Sequence, residues 1–257
     1  MNSRKLIFFD IDGTLVDSTT HTVPTSTQDT LKRLREAGHI LCISTGRSLI
    51  SLMEAGFHEL IDWDIYLCNN GQAIYDHEQK NIHLVPIPPR AVEACIAKAN
   101  ELNSPLFIIG EINRLTREAD ENVITSANFF NEVIPPVIPY DGSPVIMMIA
   151  YGPFGYDYKD YQDIEDLTFI PGQSNYSDVV LKGHNKFLGI QFVLEHFNMK
   201  EYIAVGDSLN DYDMIKNASI GIAMGNSCEP IKEIADFITD DVLHDGILHA
   251  MTKCELI

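Results

Sequence analysis

The sequence predicts an α/β protein: a doubly wound, mostly parallel sheet of Rossmann type, interrupted by an inserted α+β domain. Three observations on the 257 residues lead there. Short apolar runs end in acidic or glycine-bearing strings, and each is followed by a segment of helical periodicity. The same rhythm returns in the last third of the chain. Between the two lies a stretch of different character, rich in proline and tyrosine and of ordinary domain size.

The elements follow in order. Lys5-Leu-Ile-Phe-Phe9 reads as a buried strand. Thr25, Ser26 and Thr27 offer N-caps to a helix with Leu31, Leu34 and Ala37 on one face, and Gly38 stops it. Residues 40–43 form a second strand, followed by a helix through Leu49, Leu52 and Met53 that ends before Gly56. Residues 65–68 form a third strand. Near the other end, a helix runs through Phe187, Ile190, Val193 and Leu194. Strands at 202–205, 220–223 and 237–238 then alternate with helices at 212–216, 229–235 and around Ile247. Pro86-Ile-Pro-Pro89 marks the change of character, and most of the 12 prolines fall from there to Pro171. This middle part holds an amphipathic helix with Val92, Cys95, Ile96, Ala99 and Leu102. It also holds strand candidates at 106–109 and 145–150, and a tyrosine-rich acidic stretch at 151–166. The expected division is therefore 1–85, an insert at 86–181, and 182–257.

Composition removes several function classes. Hydrophobic residues make up 45%, as in globular proteins, and no apolar run approaches the roughly 20 residues that cross a bilayer. The opening apolar run is too brief for a signal-peptide core, so a cytoplasmic protein without a membrane partner is expected. Five scattered cysteines form no CxxC pair. Cys42, Cys68 and Cys95 sit in apolar runs and read as small core residues of a reducing compartment. The nine histidines have no zinc-binding spacing. A formal charge of −19 speaks against nucleic-acid binding, because a phosphate backbone would be repelled. Any anionic ligand then needs a local cation: a metal ion with a few placed basic residues.

The chemistry concentrates at strand ends. In Phe9-Asp10-Ile11-Asp12-Gly13-Thr14-Leu15 the two aspartates are two residues apart, so both carboxylates can face one site past the first strand. Gly13 permits the sharp turn. Ser44-Thr45-Gly46-Arg47 follows the second strand. A hydroxyl beside backbone amides at a helix start suits a phosphate, although an ordinary strand-to-helix turn looks the same. Asn69-Asn70-Gly71 after the third strand is by itself only a turn signal. Val205-Gly-Asp207-Ser-Leu-Asn210-Asp211 follows another apolar strand and supplies hard oxygen ligands suited to Mg²⁺, with Ser208 or Asn210 open to a plain capping role. Two acidic strand ends in one sheet would crowd negative charge unless a cation joined them.

These strings, in this order and over nearly the whole chain, resemble the haloacid dehalogenase-like hydrolase superfamily and its Cof-type phosphatases. The tail Gly221-Ile-Ala-Met-Gly-Asn226 belongs to the match. The resemblance implies Mg²⁺-dependent hydrolysis of a small phosphorylated metabolite, such as a sugar phosphate, nucleotide or cofactor phosphate. Asp10 matches the nucleophile that becomes an aspartyl phosphate, and Asp12 the general acid/base. Asp10, the Asp12 carbonyl and Asp207 would hold the metal, with Asp211 supporting. Thr45 and Gly46 match the phosphate-binding turn, and Asn210 and Arg47 are further phosphate or substrate contacts. Lys186 fits the phosphate-stabilising lysine, with Lys182 as the fallback, although Phe187 stands where a glycine usually follows. The insert resembles an α/β cap folded over the site, with Arg114 and Arg117 as substrate-contact candidates. A phosphomutase on the same fold and a catalytically silent binding protein are the alternatives. A monomer or homodimer is expected.

Overall fold

A computed structural model describes residues 4–257; Met1, Asn2 and Ser3, which fall in the expected first segment 1–85, lie outside the described residues. Chain order explains how the site comes together. β1 (Leu6–Phe9), α1 (Thr25–Glu36), β2 (Ile40–Ser44), α2 (Leu49–Glu54) and β3 (Ile65–Cys68) wind the first half of a sheet. β4 (Ala73–Asp76) and β5 (Asn81–Leu84) extend its edge. The insert contributes α3 (Pro89–Glu101), β6 (Leu106–Gly110), β7 (Arg114–Leu115), α4 (Glu121–Phe130), β8 (Val145–Tyr151), β9 (Leu167–Pro171) and β10 (Tyr176–Leu181). The first sheet resumes with α5 (Lys186–His196), β11 (Ile203–Gly206), α6 (Tyr212–Lys216) and β12 (Ile220–Ala223). It closes with α7 (Glu229–Ile234), β13 (Phe237–Ile238) and α8 (Gly246–Lys253).

The chain divides into two units, one comprising residues to His83 with Asn185–Ile257, the other Leu84–His184. In the first unit the sheet order is β13-β12-β11-β1-β2-β3-β4-β5. All pairs from β13 to β3 are parallel, and β4 runs antiparallel to β3. A parallel sheet is apolar on both faces, and every residue of β1, β2, β3 and β11 is buried. One face carries Ile7, Phe9, Leu41, Ile43 and Val205 with Leu31, Leu34 and Met251. The other carries Leu6, Phe8, Cys42, Leu67 and Ala204 with Ile190 and Val193. Because β1 lies between β2 and β11, the polar strings after these three strands emerge side by side. That adjacency positions the site.

The second unit is a five-stranded sheet, β7-β6-β8-β10-β9, with antiparallel pairing throughout. Val92, Cys95 and Ala99 of α3 pack against Leu106, Met148 and Val179. A separate antiparallel sheet inserted into an α/β fold is the expected architecture.

Local details differ from the sequence reading in two places. α1 does begin at Thr25, but the capping residue is Pro24, without a side-chain cap bond. The Thr27 hydroxyl is buried instead of capping, because Thr27 faces the core with Thr30, Leu31 and Leu34. Arg114, a substrate-contact candidate from sequence, is only 2% exposed. It donates to the Ile112 and Pro139 carbonyls and to Ser143 Oγ, and pairs with Asp141 at 3.0 Å, so it fastens the 139–143 loop to β7. No helix of the described residues is long and apolar enough to cross a membrane. All five cysteines are free thiols, with Cys42, Cys68 and Cys95 buried.

Candidate active site

The site begins where β1 ends. The Asp10 amide still bonds to the Val205 carbonyl at 3.0 Å, so sheet pairing fixes the backbone up to that residue. The chain then turns back on itself: the amides of Thr14, Leu15 and Val16 all converge on the Ile11 carbonyl. Gly13 makes the turn possible with φ +85°. A Cβ there would also sit 2.4 Å from Asp207 Oδ2. Two further contacts fasten the turn. Thr14 Oγ1 donates to Asp207 Oδ1 at 3.3 Å, and Asn226 Nδ2 donates to the Gly13 carbonyl at 2.7 Å.

Asp207 and Asp211 come from the turn after β11. Asp211 Oδ2 accepts the amides of Asp207 and Ser208 at 3.0 and 3.1 Å, and Ser208 completes a reciprocal capping box. Its other oxygen receives Lys186 Nζ at 2.7 Å. Lys186 stands at the first position of α5, where Asn185 caps Leu188 and also donates to Asp213 at 2.6 Å. The start of α5 presses on the 69–71 turn. A Cβ on Gly71 would meet the Asn185 carbonyl at 2.8 Å, and one on Gly189 would meet Gly71 Cα at 2.9 Å. Lys186 is completely buried and bridges Asp10 Oδ1 and Asp211 Oδ1, each at 2.7 Å. Lys182 lies in the other unit and is exposed.

Asp10, Asp207 and Asp211 are all buried, and they offer carboxylate oxygens within 4.8 Å of one another. One ammonium against three buried carboxylates leaves the cluster short of positive charge. Burial pushes the Asp10 carboxyl up to about 7, against the pull of Lys186 and with the help of the neighbouring Asp211 and Asp12. Burial works against the Lys186 charge as well, but Asp10 and Asp211 together hold its pKa above the usual lysine value. The donors are hard oxygens, and the residual charge is negative. The residues present therefore fit a small divalent cation that keeps some of its water, such as Mg²⁺.

The remaining residues singled out in the sequence surround this cluster. Thr45 is buried after β2; its amide bonds to the Leu67 carbonyl and its Oγ1 accepts the Arg47 amide at 3.1 Å. Gly46 forms the turn between them. Asn210 accepts from Ser208 Oγ at 2.7 Å and donates to Asn70 Oδ1 at 2.9 Å, which joins the β11 turn to the β3 turn. Arg47 reaches the site through Asp12, donating to both of its carboxylate oxygens at 2.7 and 2.8 Å. Arg117 belongs to the other unit. Four supporting residues were not singled out from sequence: Thr14, Asn70, Asn185 and Asn226. Each lay inside or beside a noted string, but a lone Asn or Thr in a turn has no signature separating a site brace from a solvated turn residue.

Comparison with known proteins identifies the family. The chain matches the family model described as haloacid dehalogenase-like hydrolase over residues 7–251. It is 32% identical to YkrA of Bacillus subtilis, covering 98% of each chain. It is 27% identical to the Bacillus subtilis 5-amino-6-(5-phospho-D-ribitylamino)uracil phosphatase YcsE, covering 96% of this chain and 94% of that one. Among solved structures, the HAD subclass IIB sugar phosphatase BT4131 superposes with a TM-score of 0.87 at 30% identity, over 98% of this chain and all of that one. The phosphatase BT1666 from Bacteroides thetaiotaomicron superposes at 0.88 with 26% identity, over 99% and 96%. With the family matched along nearly its whole length, the chain belongs to the haloacid dehalogenase-like hydrolases, as a phosphoric monoester hydrolase of the Cof type.

Proposed function

We propose that the protein hydrolyses the phosphate monoester of a small metabolite, in a Mg²⁺-dependent reaction that passes through an aspartyl phosphate on Asp10. The observation that carries this reading is the buried meeting of Asp10, Asp207 and Asp211 on a single lysine. A structural role would favour paired charges or an apolar core, whereas an excess of buried carboxylates is costly and suits cation-assisted chemistry. The named activities, a 5-amino-6-(5-phospho-D-ribitylamino)uracil phosphatase for YcsE and a sugar phosphatase for BT4131, support a phosphorylated sugar or sugar-alcohol derivative within the wider class of sugar phosphates, nucleotides and cofactor phosphates.

Asp10, Asp207 and the Asp12 carbonyl would hold Mg²⁺, with Asp211 behind them, and the ion supplies the positive charge that lets a phosphate dianion approach carboxylates. Everything else falls to the chain. Lys186 grips Asp10 Oδ1, orients the carboxylate and places its own charge near the phosphoryl oxygens. Thr45, Gly46 and Asn210 are assigned to holding the phosphoryl group. Asp10 attacks phosphorus, the bond from phosphorus to the ester oxygen breaks, and Asp12 passes a proton to that oxygen. Asp12 then takes a proton from a water molecule that attacks the phosphorylated Asp10. This releases inorganic phosphate and restores both carboxyl groups.

The test uses p-nitrophenyl phosphate. Activity is expected to disappear on exhaustive chelation and to return with Mg²⁺, and Asp10→Asn is expected to be slower by several orders of magnitude (about 10³-fold or more). Full turnover in the chelated protein, or a tenth of wild-type rate in Asp10→Asn, would contradict the reading.

A further inference from the structure

We infer that Arg47 is a positioning residue for Asp12 and not a ligand of the substrate phosphate. The inference rests on the phosphatase reading above, and it concerns how the proton donor is held. Arg47 Nε lies 2.7 Å from Asp12 Oδ2 and Nη2 lies 2.8 Å from Oδ1, so the planar fork meets the planar carboxylate side by side. The third nitrogen, Nη1, donates to Ser51 Oγ at 3.1 Å, and the guanidinium carbon stands 5.4 Å from the centre of the Phe57 ring. All three nitrogens are therefore directed into the chain, two of them at one carboxylate.

The backbone of Arg47 is pinned as firmly as its head group. Its amide donates to Thr45 Oγ1, and its carbonyl accepts the Asn69 amide at 3.0 Å. Ser51 is carried on α2, whose N-cap Ser48 bonds to the Ser51 amide. The Arg47 side chain is only 7% exposed, against 23% for Asp12. A rigid, enclosed cation thus braces the more exposed acid.

The consequence is chemical. A general acid works only within hydrogen-bond reach of the leaving oxygen, and an unbraced aspartate on a turn rim would spread over several rotamers. The two-point pair selects one rotamer and one carboxyl plane before substrate arrives. To act as the acid, Asp12 takes up a proton on one oxygen, which gives up its bond to the guanidinium while the other oxygen keeps its own. That proton then passes to the ester oxygen as the phosphorus–oxygen bond breaks and the phosphorus–Asp10 bond forms.

The experiment compares phenyl phosphate with 2,4-dinitrophenyl phosphate, whose leaving group needs little protonation. kcat/KM, which reports the phosphorylation step, and inhibition by inorganic phosphate are measured for wild type, Arg47→Ala, Arg47→Lys, Asp12→Asn and Arg47→Ala/Asp12→Asn. Arg47→Ala is expected to lose about a hundredfold on phenyl phosphate and less than about tenfold on the dinitrophenyl ester. Phosphate inhibition should change by no more than about twofold to threefold, and in the Asp12→Asn background the arginine substitution should cost nothing further. Arg47→Lys, which keeps the charge but not the fork, should show a smaller loss with the same dependence on leaving group. It serves in place of Arg47→Ala if that variant does not fold. Equal losses on both esters with weakened phosphate inhibition, or additive losses in the double variant, would overturn the inference and make Arg47 a phosphate ligand. An error in the Asp10 mechanism would appear separately, as turnover by Asp10→Asn.

Discussion

Gly13 shows how much of the site depends on one backbone angle. With φ at +85° and a Cβ position overlapping the Asp207 carboxylate, Gly13→Ala must strain the turn and displace a metal-ligand candidate together. We expect a stability loss of about 1 kcal/mol or more and an activity loss well beyond it, checked by urea melts alongside turnover. Asp10 gives a second prediction. Burial raises its carboxyl from an ordinary 3.8 to about 7, so between those values the folded chain binds a proton that the unfolded chain has released. Stability from this group is therefore full below about pH 4 and lost as pH climbs to about 7. In metal-free buffer, wild type should fall relative to Asp10→Asn over that range by about 1 kcal/mol or more, roughly 2–4 °C in Tm. Parallel Tm–pH curves for the two proteins would refute it. Asp10, Asp12 and Asp207 stand out in the sequence because each lies at or just past a strand end, in a string whose charge has no use in a core, whereas Lys186 is reached only through the family resemblance. Asn70 and Asn226 do not stand out, since their partners, Asn210 and the Gly13 carbonyl, lie 140 and 213 residues away.

Among elements, the parallel strands were read to within a residue or so because fully buried strands are short, unbroken apolar runs. The insert was harder. β10 alternates Tyr, Ser, Asp and Val, and its buried Asp178 argues against a strand interior. α4 buries only Val123 and Ser126, so its apolar face is too thin to read, although Asp120 caps it and Asn131 ends it in a left-handed conformation. Arg114 misled in the opposite direction: in sequence it is one more surface arginine, and only the return of residues 139–143 onto β7 buries it. Arg114→Ala should leave the Pro139 carbonyl and Ser143 without their charged donor and destabilise the insert by roughly 2 kcal/mol or more. Turnover of p-nitrophenyl phosphate by the folded fraction should change by less than about threefold, because the bonds lost only fasten the 139–143 loop to β7. Denaturant melts followed by tyrosine fluorescence would measure the first effect, and a large loss of turnover at full folding would return Arg114 to the substrate.

At the scale of the whole molecule, a net charge of −19 and a cluster of three buried carboxylates favour a bound cation. A metal that binds only the folded state adds stability by mass action, about 2.7 kcal/mol at a hundred times its Kd. Mg²⁺ should raise Tm in wild type, and the gain should shrink strongly in Asp207→Asn; an equal rise in both would place the ion elsewhere. The central claim, that phosphate passes through Asp10 while Asp12 moves protons, has a more direct test. Asp12→Ala should still accept a phosphoryl group from p-nitrophenyl phosphate, whose leaving group needs little help, yet lose it slowly because no base activates water. Intact-mass measurement after rapid acid quench should therefore show one added phosphoryl group on Asp12→Ala and none on Asp10→Asn. An adduct on Asp10→Asn, or one mapped to a serine or histidine peptide of either variant, would contradict the account.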